Sequence, residues 1–288
     1  MPELSPECVP AFDLPLAEQA AVFSAAYQDY LAGPFTANAA ELSRILYHQG
    51  ADLWLSRFLR VHGQWAGFGY INRTGERARL AGMGFVPSAR GQGLGRRLLE
   101  QLILESRDRG ERGMSLEVFE QNHPAVALYR KAGFRDVGRL YGWRHSGFTF
   151  DECPEIARIS EIPVDSLLNR PHAIEYPDLP WQISRHALAC LPPGARTYTL
   201  EDAALIIGDP VSPAIPVRIL AATTLESRAM NWPALRTLAQ SVIASIPGRT
   251  WTAPQLFPEP FGPSFFEPLG FQRLPLNQIL MGLEHQPG

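Results

Sequence analysis

The sequence predicts an α/β (α+β) chain of two similar domains, each a mixed, mostly antiparallel sheet flanked by helices. Three observations carry this. Three apolar strand candidates follow one another between residues 53 and 86, separated by short turns. After them the apolar spacing lengthens to about 3.6, giving helix, strand, helix, strand. The second half of the chain then repeats that order more faintly.

Residues 15–31 read as the first helix, with Leu16, Ala20, Phe23, Tyr27 and Leu31 on one face, ended by Gly33-Pro34. Thr36 is the expected cap of a second helix carrying Leu42, Ile45 and Leu46, with Gly50 past its end. Strands at 53–61, 65–71 and 78–86 are separated by His62-Gly63 and Arg73-Thr74-Gly75, which makes an antiparallel meander. Leu94, Leu98 and Leu102, with Leu99 and Ile103 beside them, give the next helix one buried side. Residues 114–119 follow as a strand. His123-Pro124 is expected as cap and first position of a short helix through Tyr129. Gly133 closes it, and 134–143 form a last strand.

In the second half, FEPLGFQR (266–273) lines up with YRKAGFRD (129–136). In the same order, 217–227 matches the last meander strand, 235–246 the following helix and 250–256 the strand after it. Four matches in register argue for duplication. The boundary is expected near residue 150, in FDECPE, giving domains 1–150 and 151–288.

Composition excludes several classes. Of 288 residues, 45% are hydrophobic and 19% charged, and the net charge is −3. That is an ordinary globular balance without the basic field a nucleic-acid binder needs. No apolar run approaches the ~20 residues of a membrane span, and the acidic N-terminus does not read as a signal peptide. Three scattered cysteines, Cys8, Cys153 and Cys190, suit a reducing cytoplasm. The histidines show no metal-ligand spacing, so no metal is expected. Trp54, Trp65 and Trp143 are candidates for an acceptor pocket or for core.

The stretch ARGQGLGRRLLEQLILES (89–106) puts a glycine turn directly before a helix. Such a turn offers unpaired amides and the positive end of the helix dipole to an anion. A phosphate-binding Gly-Lys-Ser/Thr is missing, since Arg96-Arg97 follows Gly95. The dinucleotide fingerprint also fails, because position 96 is not glycine and the turn follows a meander. What remains is Arg90-x-x-Gly93-x-Gly95 between a strand and a helix. It is either an anion site or only a tightly packed turn.

Downstream, SLEVFEQNHPAVALYRKAGF (115–134) contains Asn122-x-x-Ala125-x-x-Leu128-Tyr129-x-Lys131-x-Gly133-Phe134. The two motifs together resemble the GCN5-related N-acetyltransferase (GNAT) superfamily over about residues 10–145, and more faintly in the duplicate. Glu117 through Phe134 is similar to bacterial enzymes that acetylate protein N-termini, and the tandem layout to mycothiol synthase-type double proteins.

The resemblance implies acetyl-CoA as cosubstrate, its pantetheine arm entering between two parting strands beside Met83, Gly84 and Phe85. Gly82 and Gly84 suit a bulge that opens such a gap. It also implies that Arg90, Gly91, Gln92, Gly93, Leu94, Gly95 and Arg96 wrap the diphosphate, with charge from Arg90, Arg96 or Arg97. Asn122 would touch the cofactor arm. Tyr129 would be the acid at the sulfur, and Glu117 a base acting through water or else a paired structural carboxylate.

The expected activity is N-acetyl transfer by direct attack in a ternary complex. The acceptor is a small-molecule amine or a peptide N-terminus, and the protein a monomer or homodimer. The alternatives are a non-catalytic acyl-CoA-binding sensor and, within enzymes, a mycothiol synthase-like or protein N-terminal acetyltransferase. The second copy departs from the pattern: SRAMNWPAL (227–235) replaces the glycine turn and Phe266 the tyrosine. It is expected to be degenerate and not to bind the cofactor.

Overall fold

A computed structural model describes residues 6–147, 156–170, 179–211, 215–226 and 229–285. The chain forms two compact units, Met1–Val137 with Ile279–Gly288, and Gly138–Gln278. The division expected near residue 150 thus falls earlier, and the last residues of the chain return to the first unit. The FDECPE stretch (150–155), with Cys153, lies outside the described residues.

The first unit opens with β1 (Glu7–Pro10), α1 (Leu16–Ala26) and α2 (Ala39–His48). The meander is β2 (Asp52–Val61), β3 (Gln64–Thr74) and β4 (Arg77–Phe85). Then come α3 (Leu94–Asp108), β5 (Gly113–Phe119), α4 (His123–Lys131) and β6 (Arg135–His145). Several local expectations shift. α1 stops at Ala26 rather than 31. Asn38, not Thr36, caps α2, in a capping box with Glu41. Asn122, not His123, caps α4, accepting from the Ala125 amide at 3.4 Å.

The strand order in this unit is β1-β2-β3-β4-β5-β12, where β12 (Gln272–Glu284) is the chain's last strand. α1 and α2 cover one core, around Phe58, Phe68 and Tyr70. α3 and α4 cover a second, built from Ile71, Leu80, Leu98, Leu102, Met114 and Leu116. Ile279, Met281 and Leu283 of β12 complete that second core. The β12 ladder is supplemented by Arg77 on Glu284 at 2.6 Å and by the His285 amide on Arg112 O at 2.8 Å.

The second unit comprises β7 (Ser160–Ile162), α5 (Val164–Leu168), α6 (Arg185–Ala189), β8 (Arg196–Leu200), β9 (Ala203–Ile207), β10 (Val217–Thr224), α7 (Trp232–Ser245) and β11 (Trp251–Pro258). Most of β6 and the first half of β12 belong to it. Its order is β12-β6-β11-β10-β9-β8-β7. One core gathers Leu205, Ile207, Val217, Leu238, Val242, Trp251 and Phe257. A short 3-10 turn, Trp181–Ile183, leads into α6, and Cys190 caps it half-buried.

Candidate active site

The parallel pair β4–β5 is registered only from Arg77↔Gly113 to Leu80↔Leu116. Beyond it, β4 runs on to Phe85 and β5 to Phe119 with no further pairing between them. The cause is local. Against β3, Tyr70 faces Gly82 and Ile71 faces Leu80, which leaves Ala81 as an extra residue. A bulge of this kind turns the strand and increases its twist. The backbone groups of β4 past the bulge are left toward the gap.

At the mouth of the gap α3 begins. Gly93 is its N-cap, at φ 76°, and no side chain caps it. Gly91 is also left-handed, at φ 75°, a region costly for any residue with a Cβ. The Arg97 amide reaches Gly93 O, but the first amides of the helix have no acceptor within it. α2 and α4, by contrast, each carry an asparagine cap.

Gap and turn open into one cavity of about 470 Å³. Met83, Gly84 and Phe85 of β4, Gly91, Gly93, Leu94 and Gly95 of the turn, and Asn122 and Tyr129 of α4 all line it, as does Arg90. Tyr27, Asp29, Tyr30 and Gln121, which the sequence did not single out, line it too. The apolar period of the first helix ran through Tyr27 to residue 31, which hid the break that turns Tyr27, Asp29 and Tyr30 into the cavity. Gln92 and Arg96 lie outside the lining. Gln92 donates to Ser88 O at 2.7 Å, and Arg96 pairs with Glu100 at 2.7 Å. Arg97 donates to Pro6 O.

Tyr129 is buried, its ring edge-on to Phe134. Burial, with Tyr30 nearby, pushes its phenol above the usual range, so it stays protonated at any physiological pH. It is a donor, not a base. Tyr27 and Tyr30 are likewise raised by burial.

Glu117 stands one residue past the last paired position of β5. It is not part of the lining. Its Oε2 accepts Nε and Nη2 of Arg79 at 2.8 and 2.6 Å, and both side chains are 5% exposed or less. The three tryptophans are elsewhere. Trp54 is exposed against Phe12, Trp65 packs on Phe58, and Trp143 stacks on Phe266 in the second unit.

The fit to coenzyme A rests on these features. Open amides and a glycine surface at a helix start suit a diphosphate, and an unpaired strand edge suits an amide-bearing arm. Among the described residues no group of three or more His, Cys, Asp or Glu side chains could hold a metal ion. None of their helices is long and apolar enough to cross a membrane.

Comparison with known proteins agrees with this geometry. The acetyltransferase (GNAT) family model matches residues 20–134. A peptidyl-lysine N-acetyltransferase, YjaB of Salmonella typhimurium, is 32% identical over 114 residues, covering 40% of this chain and 70% of that protein. The ribosomal protein bS18-alanine N-acetyltransferase of Escherichia coli is 37% identical over 86 residues, 30% of this chain and 58% of that one. The thialysine N-epsilon-acetyltransferase of Sus scrofa is 31% identical over 90 residues, 31% of this chain and 53% of that one. The chain thus spans little more than half the length of the last two.

Two solved structures match nearly the whole chain in fold. A Pyrococcus horikoshii protein described as a putative acetyltransferase has a TM-score of 0.65 at 13% identity, covering 99% of this chain and 91% of its own. A tandem GNAT protein from the clavulanic acid biosynthesis pathway has a TM-score of 0.63 at 16% identity, covering 99% and 100%. With the motifs, the parted strands and a relative matched over most of its length, the chain belongs to the GCN5-related N-acetyltransferase family.

Proposed function

We propose that this chain is an acetyl-CoA-dependent N-acetyltransferase that serves an amine acceptor by direct attack in a ternary complex, with its chemistry in the first unit. One observation carries the reading: the uncapped start of α3 and the gap between β4 and β5 open into the same cavity, with Tyr129 in its wall. The named relatives, which act on a ribosomal-protein alanine, a peptidyl-lysine and thialysine, support an amine as acceptor.

The Gly91–Gly95 amides hold the diphosphate, and the β4 edge past Ala81 holds the pantetheine arm. When bound, acetyl-CoA supplies the activated acyl group. A backbone N–H near Phe85 steadies the acyl oxygen as charge builds on it. The Tyr129 phenol donates a hydrogen bond to the departing sulfur. Full proton transfer is uphill for it, since burial strengthens its hold on the proton.

An α-amine with pKa ~8 is neutral in roughly one molecule in ten at pH 7, a lysine-type amine in about one in a few thousand. Only the second depends strongly on a base. Glu117, acting through water, is the candidate there, and its pairing with Arg79 favours the α-amine route that does not need it.

Thiol release from acetyl-CoA with a panel of peptides, amino acids and aminoglycosides tests the reading. Tyr129→Phe is expected to lower kcat about 10²-fold with little change in coenzyme A affinity. Unchanged turnover removes the acid. Cofactor binding with no turnover on any amine leaves the sensor reading in its place.

A further inference from the structure

The segment after α1 supplies Tyr27, Asp29 and Tyr30 to the cavity wall. Its backbone is held by few bonds: Tyr30 N to Tyr27 O at 3.2 Å, Gly33 N to Tyr30 O at 2.9 Å and Phe35 N to Tyr27 O at 3.1 Å. A side chain from another element ties it down. Arg90 Nη1 and Nη2 donate to the two carboxylate oxygens of Asp29 at 2.6 and 2.8 Å. Nη2 also donates to Ala26 O at 2.9 Å, and Nε to Phe85 O at 2.9 Å. One guanidinium therefore joins the end of α1 to the end of β4, immediately before the glycine turn.

A guanidinium has five N–H groups in a fixed fork. These contacts commit every nitrogen of Arg90 to the protein. Asp29, for its part, is an acid on the wall of a cavity whose proposed ligand carries a diphosphate. The hydrogen bonds from Arg90 hold its carboxyl below the usual range. The aromatic side chains it carries are set beside it, with Tyr27 4.8 Å from Tyr30, and Tyr30 5.8 Å from Phe119, between ring centres.

We propose that Arg90 is not a diphosphate ligand but a positioning residue: its clasp on Asp29 cancels an acid inside the cofactor cavity and holds Tyr27 and Tyr30 in the wall they share with Tyr129. The inference rests on the cofactor reading for its first half and on geometry alone for its second. It reverses what the resemblance implies for Arg90, and it assigns Asp29 and Tyr30 to the site.

The test is calorimetry with coenzyme A on wild type, Arg90→Gln, Asp29→Asn and the double variant, together with hydrogen exchange at the amides of residues 29–35. An exposed charge pair of this kind predicts a loss of about fivefold for Arg90→Gln, where Asp29 is left unpaired, and none for Asp29→Asn. The double variant is expected to regain affinity to within about twofold of wild type, because both charges are gone. Exchange at residues 29–35 is expected to quicken about fivefold in all three variants, with α3 unchanged.

A double variant as weak as Arg90→Gln shows that Arg90 touches the diphosphate and overturns the proposal. Unaltered exchange overturns the positioning role. Wild type failing to bind coenzyme A removes the cofactor reading and with it the charge-cancelling half. The exchange result then still decides whether the clasp holds the segment.

Discussion

In the first unit α3 starts at Gly93 with no side chain on its leading amides, whereas in the second α7 starts at Asn231, whose side chain accepts from the Ala234 amide at 3.3 Å. Pro233 in that first turn has no amide to give. The strands before and after α7 also part early. β10 and β11 pair in parallel only at Val217↔Trp251 and Arg218↔Thr252. Beyond that point the second unit packs aromatic side chains. Phe257, Phe261, Phe265 and Phe266 are all essentially fully buried, and Trp232 meets Phe261 edge-on at 5.0 Å. Arg236, on α7, donates to Ser264 O at 2.7 Å and holds the aromatic turn against the helix. The parted strands are thus a property of the fold, and an anion site is not. A glycine start leaves amides open; in the second unit an Asn cap accepts from a leading amide, a proline removes another, and four phenylalanines are buried in the core beside the helix. We infer that the second unit takes no coenzyme A.

The largest expected effect concerns what the first unit needs to exist at all. Ile279, Met281 and Leu283 are 0, 0 and 8% exposed in its core. Burying each is worth about 1.5–3 kcal/mol, so their sum rivals the ~5–15 kcal/mol that hold a typical domain folded. A fragment of residues 1–150 is expected to lack a cooperative melting transition by circular dichroism, whereas the full chain shows one. A fragment 1–150 that folds and binds coenzyme A would make β12 an accessory and would turn the two units into independent domains.

A smaller effect tests the contrast between the two helix starts. Coenzyme A is expected to bind the full chain with a stoichiometry of one by calorimetry. Gly93→Val forces a β-branched residue to a positive φ, at about 1–3 kcal/mol of strain, and crowds the amides the diphosphate needs. It should abolish that single site, an affinity loss of at least about tenfold. A second stoichiometric site, or one that survives Gly93→Val, would show that the second unit binds the ligand despite its cap.

The sequence carried the local part of this contrast. Leucine spacing placed α3, the glycines placed the turn, and Trp232-Pro233 and Phe266 marked the second copy as different. Partner choice was not legible. Nothing in QRLPLNQILMGLE says that its first half belongs to one unit and its second half to the other, because strand pairing is decided by distant apolar faces. Arg90 and Glu117 hid their partners for a related reason. Their residue types suit phosphate binding and base catalysis, but Asp29 and Arg79, which claim them, are 61 and 38 residues away. β1 was missed because ECVP is too short to show a period.

The smallest predicted effect separates the ends of β12 and β6. His285 directly follows β12, and its Nε2 lies 2.9 Å from Ser106 Oγ. Ser106 in turn hydrogen-bonds Glu111, which Arg109 also holds at 2.9 Å, so Nε2–H is the donor to Ser106. Nδ1 then faces Arg107 Nε at 3.4 Å. Burial and the Arg107 charge lower the His285 pKa below its usual value near 6.5. Arg77 on one side and Glu111 and Glu284 on the other also act on it. β6 ends at His145, lowered by burial, with its ring against Phe271 and no arginine among the causes. Both imidazoles are neutral in the folded state. Their stabilising contribution is complete above about pH 6.5 and declines as the pH falls toward the lowered native values, where the unfolded chain binds the extra proton. As the pH falls below about 6.5 the denaturation midpoint should fall. His285→Gln is expected to flatten part of that slope and His145→Gln the rest, with carboxylate losses appearing only at lower pH. A slope untouched by His285→Gln would mean that β12 is held in the first unit by its apolar face and the Arg77–Glu284 pair, with no contribution from the half-buried imidazole.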